Sequence, residues 1–150
     1  MKEKIRIIKE FLKFYFTSKT KYSVHSPWVY NLLTEVILEN KENRSFDKYL
    51  EIEEIRKTII RNSQKISLQT PGVRAKTVHK TLGAKIKSIS QPKAGARVLS
   101  RLTEFCSPKT IIELGTAAGI ATMYISVSSP QADIFTVEGD ELMAEVAAKN

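Results

Sequence analysis

The chain has 150 residues and a mass of 17.0 kDa, a size that buries an ordinary hydrophobic core without disulfides or a structural metal. Apolar residues make up 42% and charged residues 27% of it, which excludes disordered and collagen-like proteins. One cysteine and two histidines exclude an intrachain disulfide and leave no ligand cluster for a metal ion. We therefore expect a folded, metal-free chain in the reducing cytoplasm.

The distribution of charge and hydropathy is informative as well. No stretch reaches the roughly 18 uncharged apolar residues of a membrane span, and the charged residues near the N-terminus exclude a signal-peptide core. Residues 1–110 hold 23 Lys and Arg against 10 Asp and Glu, whereas residues 111–150 hold one Lys against six acids. This asymmetry indicates two regions with different roles.

Amphipathic helices are predicted through the first part of the chain. Apolar side chains recur at helical spacing in five stretches. These are residues 4–16, residues 26–40 beginning with Ser26-Pro27 and ending near Asn40, residues 47–61, residues 78–89, and residues 92–107. Lysines, including Lys80, Lys85 and Lys87, are predicted to lie on the solvent side of the fourth helix. The segment from Asn62 to Arg74 is predicted to be a connector.

The hydrophobic period changes after Pro108. Thr110–Leu114 is a short, β-branched, apolar run typical of a strand buried on both faces. A helix over 119–128, a second strand over 133–138 and a helix capped by Asp140 follow. These elements predict an α/β fold, with a basic helical cap over 1–107 and a βαβ unit with parallel strands over 108–150.

The turn between the first strand and its helix has the features of a ligand site. Gly115 lets the backbone turn sharply without a Cβ against the ligand, and Gly119 lets the helix pack closely. Free N–H groups of the turn are expected to point into the crevice. Glu138 ends the neighbouring strand, where its carboxylate can accept both hydroxyl protons of a ribose. The pattern predicts a nucleoside-bearing ligand.

The spacing of the glycines narrows the kind of ligand. Dinucleotide sites use G-x-G-x-x-G, in which the second glycine makes room for a pyrophosphate. This chain has G-x-x-x-G from Gly115 to Gly119, with Ala117 inside it. A ligand without phosphates fits this pattern better.

These motifs give the chain its family resemblance. It resembles class I S-adenosylmethionine-dependent methyltransferases, in particular an uncharacterised bacterial, O-methyltransferase-like branch. The first motif runs from Ile111 to Thr122 and the second from Ile134 to Glu138, and residues 22–30 and 101–109 also resemble the N-terminal part of such enzymes. The resemblance implies that residues 108–150 are the first half of a doubly wound, Rossmann-like sheet, incomplete in this chain.

The resemblance also implies a cofactor and roles for individual residues. S-adenosylmethionine is the implied cofactor. Its methionine portion would lie against the turn formed by Gly115, Thr116, Ala117 and Gly119, its amino group near Glu113, and its ribose at Glu138. No catalytic residue carries over, because the family's acceptor-side groups lie downstream. The implied activity is methyl transfer to a small-molecule or undetermined acceptor, with this chain inactive alone.

Other functions stay open at this stage. The basic region is also consistent with a noncatalytic interaction module or half of a split assembly, possibly RNA-associated; nucleic acid is the less favoured partner because no aromatic side chains interleave with the lysines between 75 and 101. The basic, aromatic helix over 2–16 fits a membrane surface or packing on the next helix. The open edge of the strand over 110–114 predicts self-association. Cys106 is expected to be a buried, inert thiol.

Overall fold

The computed structural model describes residues 2–18, 21–38, 46–69 and 77–150, which form a mixed α/β structure with two small sheets. The chain divides into two compact units, Met1–Glu39 and Asn40–Asn150. The predicted division at residue 108 falls inside the second unit and stays a prediction. No helix in the described ranges is long and apolar enough to cross a membrane.

The first unit is helical. It contains α1 (Lys2–Thr17), a 3-10 turn (Lys21–Ser23) and α2 (Pro27–Asn31), which continues as a π-helical segment (Leu32–Ile37). The side chain of Ser26 accepts a hydrogen bond from the N–H of Val29 at 3.4 Å, and Pro27 occupies the first turn. Both predicted helices are therefore confirmed, although the predicted end near Asn40 lies outside the described residues.

Two helices of the second unit, the predicted third and fifth, also follow the prediction. A 3-10 turn (Phe46–Tyr49) leads into α3 (Leu50–Ile60), and α5 spans Lys93–Cys106. Ser107 ends α5 with a left-handed φ of 44°. Cys106, expected to be buried, is exposed, because it lies in the last turn of the helix rather than on its packed face.

The region between these helices differs from the prediction. The expected connector contains β1 (Lys65–Gln69), and the first part of the expected fourth helix is β2 (Thr77–Thr81), which pairs antiparallel with β1. Only α4 (Leu82–Ile89) is helical. The helix begins only at Leu82 because Thr81 has an extended backbone and acts as the N-cap. Its hydroxyl accepts a hydrogen bond from the N–H of Ala84 at 3.2 Å. Residues 70–74 of the connector lie outside the described residues.

Gly83 fixes the position of α4. Its N–H donates to the carbonyl oxygen of Asn62 at 3.0 Å. A Cβ at this position would lie 2.0 Å from the carbonyl oxygen of Ile60. Since no real Cβ contact is that short, only glycine lets α4 approach the end of α3 in this way.

The C-terminal part forms the predicted βαβ unit. β3 (Thr110–Leu114) and β4 (Asp133–Val137) pair in parallel, with α6 (Ile120–Ser128) between them in sequence and α7 (Glu141–Lys149) after them. The expectation that β3 is buried on both faces is wrong here, since Ile112 is 71% and Leu114 83% exposed. Ile111 and Glu113, on the opposite face, are partly buried.

The core of the second unit consists of two clusters of buried side chains. One joins α3, α5 and α6 through Tyr49, Ile52, Ala96, Ile120 and Tyr124, whose two tyrosine rings stack with centroids 4.6 Å apart. The other cluster contains Leu82, Ile86, Ala118 and Met143. Ala118 belongs to the turn after β3, so the second cluster anchors that turn against α4 and α7.

Candidate functional site

The turn after β3 has an unusual backbone conformation. Gly115, Ala117 and Gly119 have φ values of 92°, 50° and 77°. A Cβ at Gly115 would meet nothing within 4 Å, and one at Gly119 would make only an ordinary contact with Ala147 at 3.6 Å. The two glycines are therefore required by their positive φ values rather than by close packing, which replaces the reason given for Gly119 from the sequence.

The N–H groups of the turn are largely used within the protein. Those of Gly115 and Thr116 both donate to the carbonyl oxygen of Val137, at 2.8 and 3.3 Å. The N–H of Ala117 donates to Oε2 of Glu138 at 2.7 Å, and that of Gly119 to the carbonyl oxygen of Thr116 at 2.9 Å. The prediction of free N–H groups pointing into the crevice is thus wrong for these four residues.

Glu138 joins the two loops at the carboxyl ends of the strands. Besides the bond from Ala117, its Oε1 accepts from the N–H of Asp140 at 2.9 Å. The hydrogen bonds from Asp140 and Ala117, in that order, lower the pKa of the Glu138 carboxyl below its usual range. A carboxylate oxygen accepts two hydrogen bonds, so each oxygen retains capacity for a further donor.

Glu113 lies at the end of a chain of hydroxyl groups. Its Oε2 accepts from Thr122 at 2.5 Å and from Thr136 at 2.7 Å. Thr136 also shares a 2.5 Å hydrogen bond with Thr116. Because Thr136 has one hydroxyl proton and donates it to Glu113, Thr116 must be the donor in that bond. The remaining capacity of the Thr116 hydroxyl is therefore that of an acceptor.

The two threonines that complete this chain were not among the predicted site residues. Thr136 is the register partner of Glu113 across the parallel pair. Aligning the two predicted strands end to end would have placed these residues together. Thr122 follows the turn on α6, and the sequence gives no separate signal for it.

The predicted site residues lie around two cavities that share Thr116. The first, of about 340 Å³, is lined by Thr116, Gly119, Thr122, Thr136, Glu138 and residues of α7. The second, of about 430 Å³, is lined by residues that include Glu113, Gly115, Thr116 and Ala117 together with apolar side chains of α5. The structure thus brings all six to one end of β3 and β4 but places Glu113 and Glu138 on different cavities.

An ion pair beside Glu138 positions α7. Asp140 caps this helix by accepting from the N–H of Met143 at 3.1 Å, and its other oxygen accepts from Nζ of Lys85 at 2.5 Å. The bond from Lys85 is the main cause that lowers the pKa of the Asp140 carboxyl. Lys85 was predicted to lie on the solvent side of its helix, but its side chain is only 12% exposed.

Neither a protein-family profile nor a solved structure matches the chain. The resemblance to methyltransferases therefore stays a prediction.

Proposed function

We propose that the cavity beside Glu138 binds the nucleoside part of a phosphate-free, donor-rich cofactor, and that this cofactor is S-adenosylmethionine. The observation that carries the proposal is the polarity of the site. Glu138 and Thr116 both line the cavity with hydrogen-bond acceptors. The main-chain N–H groups of the turn, those of Gly115, Thr116, Ala117 and Gly119, already donate hydrogen bonds to other groups of the protein. Such a site is complementary to a ligand with hydroxyl and ammonium donors.

The same polarity opposes a phosphate ligand. Phosphate sites at a strand-to-helix turn use several main-chain N–H groups that point at the ligand. Here the N–H of Ala117 meets the carboxylate of Glu138 instead. A pyrophosphate would compete with this bond and be repelled by the charge of Glu138, which the lowered pKa keeps ionised.

The residues present fit the proposed cofactor in chemical type. A volume of about 340 Å³ is at the lower end of the range for small-molecule sites. Glu138 would accept from the ribose hydroxyls and Thr116 from a further donor of the ligand. Glu113 would attract the amino group from the neighbouring cavity. When bound, S-adenosylmethionine supplies a methyl group activated by a sulfonium.

We further propose that the βαβ unit of β3, α6 and β4 is the first part of a doubly wound, Rossmann-like methyltransferase sheet, and that the activity is methyl transfer. The parallel pairing, the turn with three positive φ values and the acid after β4 support this proposal. The residues of the site bind and orient the cofactor, and none is assigned to the acceptor. We expect no turnover by the chain alone.

Calorimetric titration of the full chain with S-adenosylhomocysteine tests the cofactor assignment. We expect weak but saturable binding that Glu138→Ala lowers about tenfold, the size of a lost charge-assisted hydrogen bond. The matched control is Glu145→Ala, an exposed acid of α7 that lines neither cavity. Binding that Glu138→Ala and Glu145→Ala leave equally unchanged would remove Glu138 from the ribose role.

A second candidate role is assembly through the sheet of β3 and β4. One face of this sheet carries Ile112, Leu114, Phe135 and Val137, all more than half exposed. Within the described residues the sheet has two strands, so each strand has one edge without a paired strand. An apolar face beside an open edge favours pairing with a second copy.

A further inference from the structure

The helix α1 presents a broad apolar surface, which only Lys4 in the first turn interrupts. At about 100° per residue its large apolar side chains occupy an arc of about 200°, twice the width of an ordinary core-facing stripe. Each of them is between 46% and 79% exposed, and they are Ile5, Ile7, Ile8, Phe11, Leu12, Phe14, Tyr15 and Phe16. Nothing in the described part of the first unit buries this arc.

Basic side chains lie along one border of the apolar arc. Arg6, Lys9 and Lys13 are three and four residues apart, so they form one row along the helix, and Lys9 and Phe16 are neighbours on the helix circumference. Residues 2–17 hold five basic residues against two acids, and the acids Glu3 and Glu10 lie at the other border. The helix therefore has an apolar side, a cationic row and a small acidic edge.

We infer that α1 lies in the surface of an anionic lipid membrane, with its apolar arc among the acyl chains and its cationic row at the headgroups. The charge of the row is complementary to anionic lipid. Long basic side chains reach headgroup level while the aromatic rings are buried below them. A flat protein partner would cover only part of a 200° arc, whereas lipid surrounds the helix from below and from both sides.

This inference is independent of the proposed cofactor. It requires no membrane-spanning helix, and the described residues contain none. It uses only α1, which lies in the first unit, whereas the candidate site lies in the second. Failure of one proposal therefore leaves the other untouched.

Co-sedimentation of the full chain with vesicles tests the inference. We expect partition onto vesicles of phosphatidylcholine with about 30 mol% phosphatidylglycerol and much less onto phosphatidylcholine alone. About 0.5 M salt should weaken the binding, since it screens the charge of the cationic row. Equal partition onto both kinds of vesicle, or none onto either, would overturn the proposal.

Two variants separate the apolar and the cationic contributions. Phe11→Ser/Phe14→Ser and Lys9→Glu/Lys13→Glu should each lower the partition coefficient at least about tenfold. The matched controls are Leu50→Ser, which removes an exposed apolar side chain from α3, and Lys80→Glu/Lys87→Glu, which makes the same charge change outside α1. Both controls should bind like the unaltered chain.

The occupant of the arc is identified by the same set of variants. If Phe11→Ser/Phe14→Ser lowers the mass of the chain in light scattering but leaves vesicle binding unchanged, the arc belongs to a protein interface and the proposal is wrong. The substitution Phe14→Trp, in the background Trp28→Phe, reports insertion directly. Its emission should shift to shorter wavelength on anionic vesicles, and an unchanged spectrum would contradict insertion.

Discussion

The carboxylate of Glu138 accepts a hydrogen bond from the main-chain N–H of Ala117 at 2.7 Å, which ties the loop after β4 to the turn after β3. Ala117 has a left-handed φ of 50°, a conformation that costs a non-glycine residue about 1 kcal/mol or more. The bond to Glu138 helps to hold the turn in that conformation. The proposed ligand binding and the stability of the turn therefore both depend on the Glu138 side chain.

Stability should fall in acid because of Glu138 and Asp140. Both carboxyls have folded-state pKa values lowered by hydrogen bonds, from main-chain N–H groups to Glu138 and chiefly from Lys85 to Asp140. Their stabilisation is thus present above the unfolded pKa values of about 4 and is lost as the pH falls through the folded values.

Urea unfolding at pH 7 and at successively lower pH measures this effect. The urea concentration at the unfolding midpoint should decrease once the pH is below about 4. Glu138→Gln should make this decrease smaller, since glutamine does not titrate. Glu145→Gln is the control with an exposed acid on α7. A midpoint that stays constant or rises between neutral and acid pH would contradict the assigned role of the two carboxylates.

The pair of Lys85 and Asp140 should show coupling in a double-mutant cycle. Asp140→Asn keeps an acceptor for the N–H of Met143 but loses the charge, whereas Asp140→Ala loses the cap as well. We expect Asp140→Ala to cost about 1–2 kcal/mol and Asp140→Asn less. The coupling between Lys85→Met and Asp140→Asn should be up to about 1 kcal/mol, since Asp140 is partly solvated. Zero coupling would show that the pair contributes nothing to stability.

Gly83→Ala should destabilise the second unit strongly. The new Cβ would lie 2.0 Å from the carbonyl oxygen of Ile60, and neither main-chain segment can move independently of its helix. We expect a loss of about 2 kcal/mol or more in the free energy of unfolding. Gly139→Ala, whose Cβ would meet nothing within 4 Å, should change it by less than about 0.5 kcal/mol. Similar effects of the two substitutions would contradict the close approach of α3 and α4.

Self-association through the sheet should respond to charge on its exposed face. We expect light scattering to report a dimer or larger species at micromolar concentration. Because Ile112 and Phe135 are exposed register partners, Ile112→Lys and Phe135→Lys should fold but shift the mass toward that of the monomer. Leu50→Lys, at an exposed position on α3, is the control and should associate like the unaltered chain. A monomeric unaltered chain would exclude this role.

The sequence predicted the fold best where local signals agree. The Ser26-Pro27 cap, the strand Thr110–Leu114 and the Asp140 cap are all observed. It failed between Asn62 and Thr81, because Val78, Leu82 and Ile86 have helical spacing while β-branched Thr77, Val78 and Thr81 favour a strand. The pairing of β1 with β2 stabilises the strand over the helix. Such a contact between separate segments cannot be recognised from the spacing of neighbouring apolar residues.

For the candidate site, the sequence located the residues but not their hydrogen bonds. Gly115, Gly119 and Glu138 could be placed at the ends of two parallel strands from spacing alone. That the Ala117 N–H is used by Glu138 depends on side-chain rotamers and on a positive φ at a non-glycine residue. Neither feature has a sequence signature. The acceptor character of the site, on which its proposed ligand depends, is therefore a property of the folded structure.

The proposed function requires this site to select a donor-rich ligand without phosphates. The most direct measurement is a set of calorimetric titrations of the full chain with S-adenosylmethionine, S-adenosylhomocysteine and ATP under identical salt conditions. S-adenosylmethionine, which carries the positive sulfonium, should bind at least as tightly as S-adenosylhomocysteine, and both should bind at least about tenfold more tightly than ATP because of the charge on Glu138. Tighter binding of ATP than of both other ligands, or no binding of any of them, would contradict the claim.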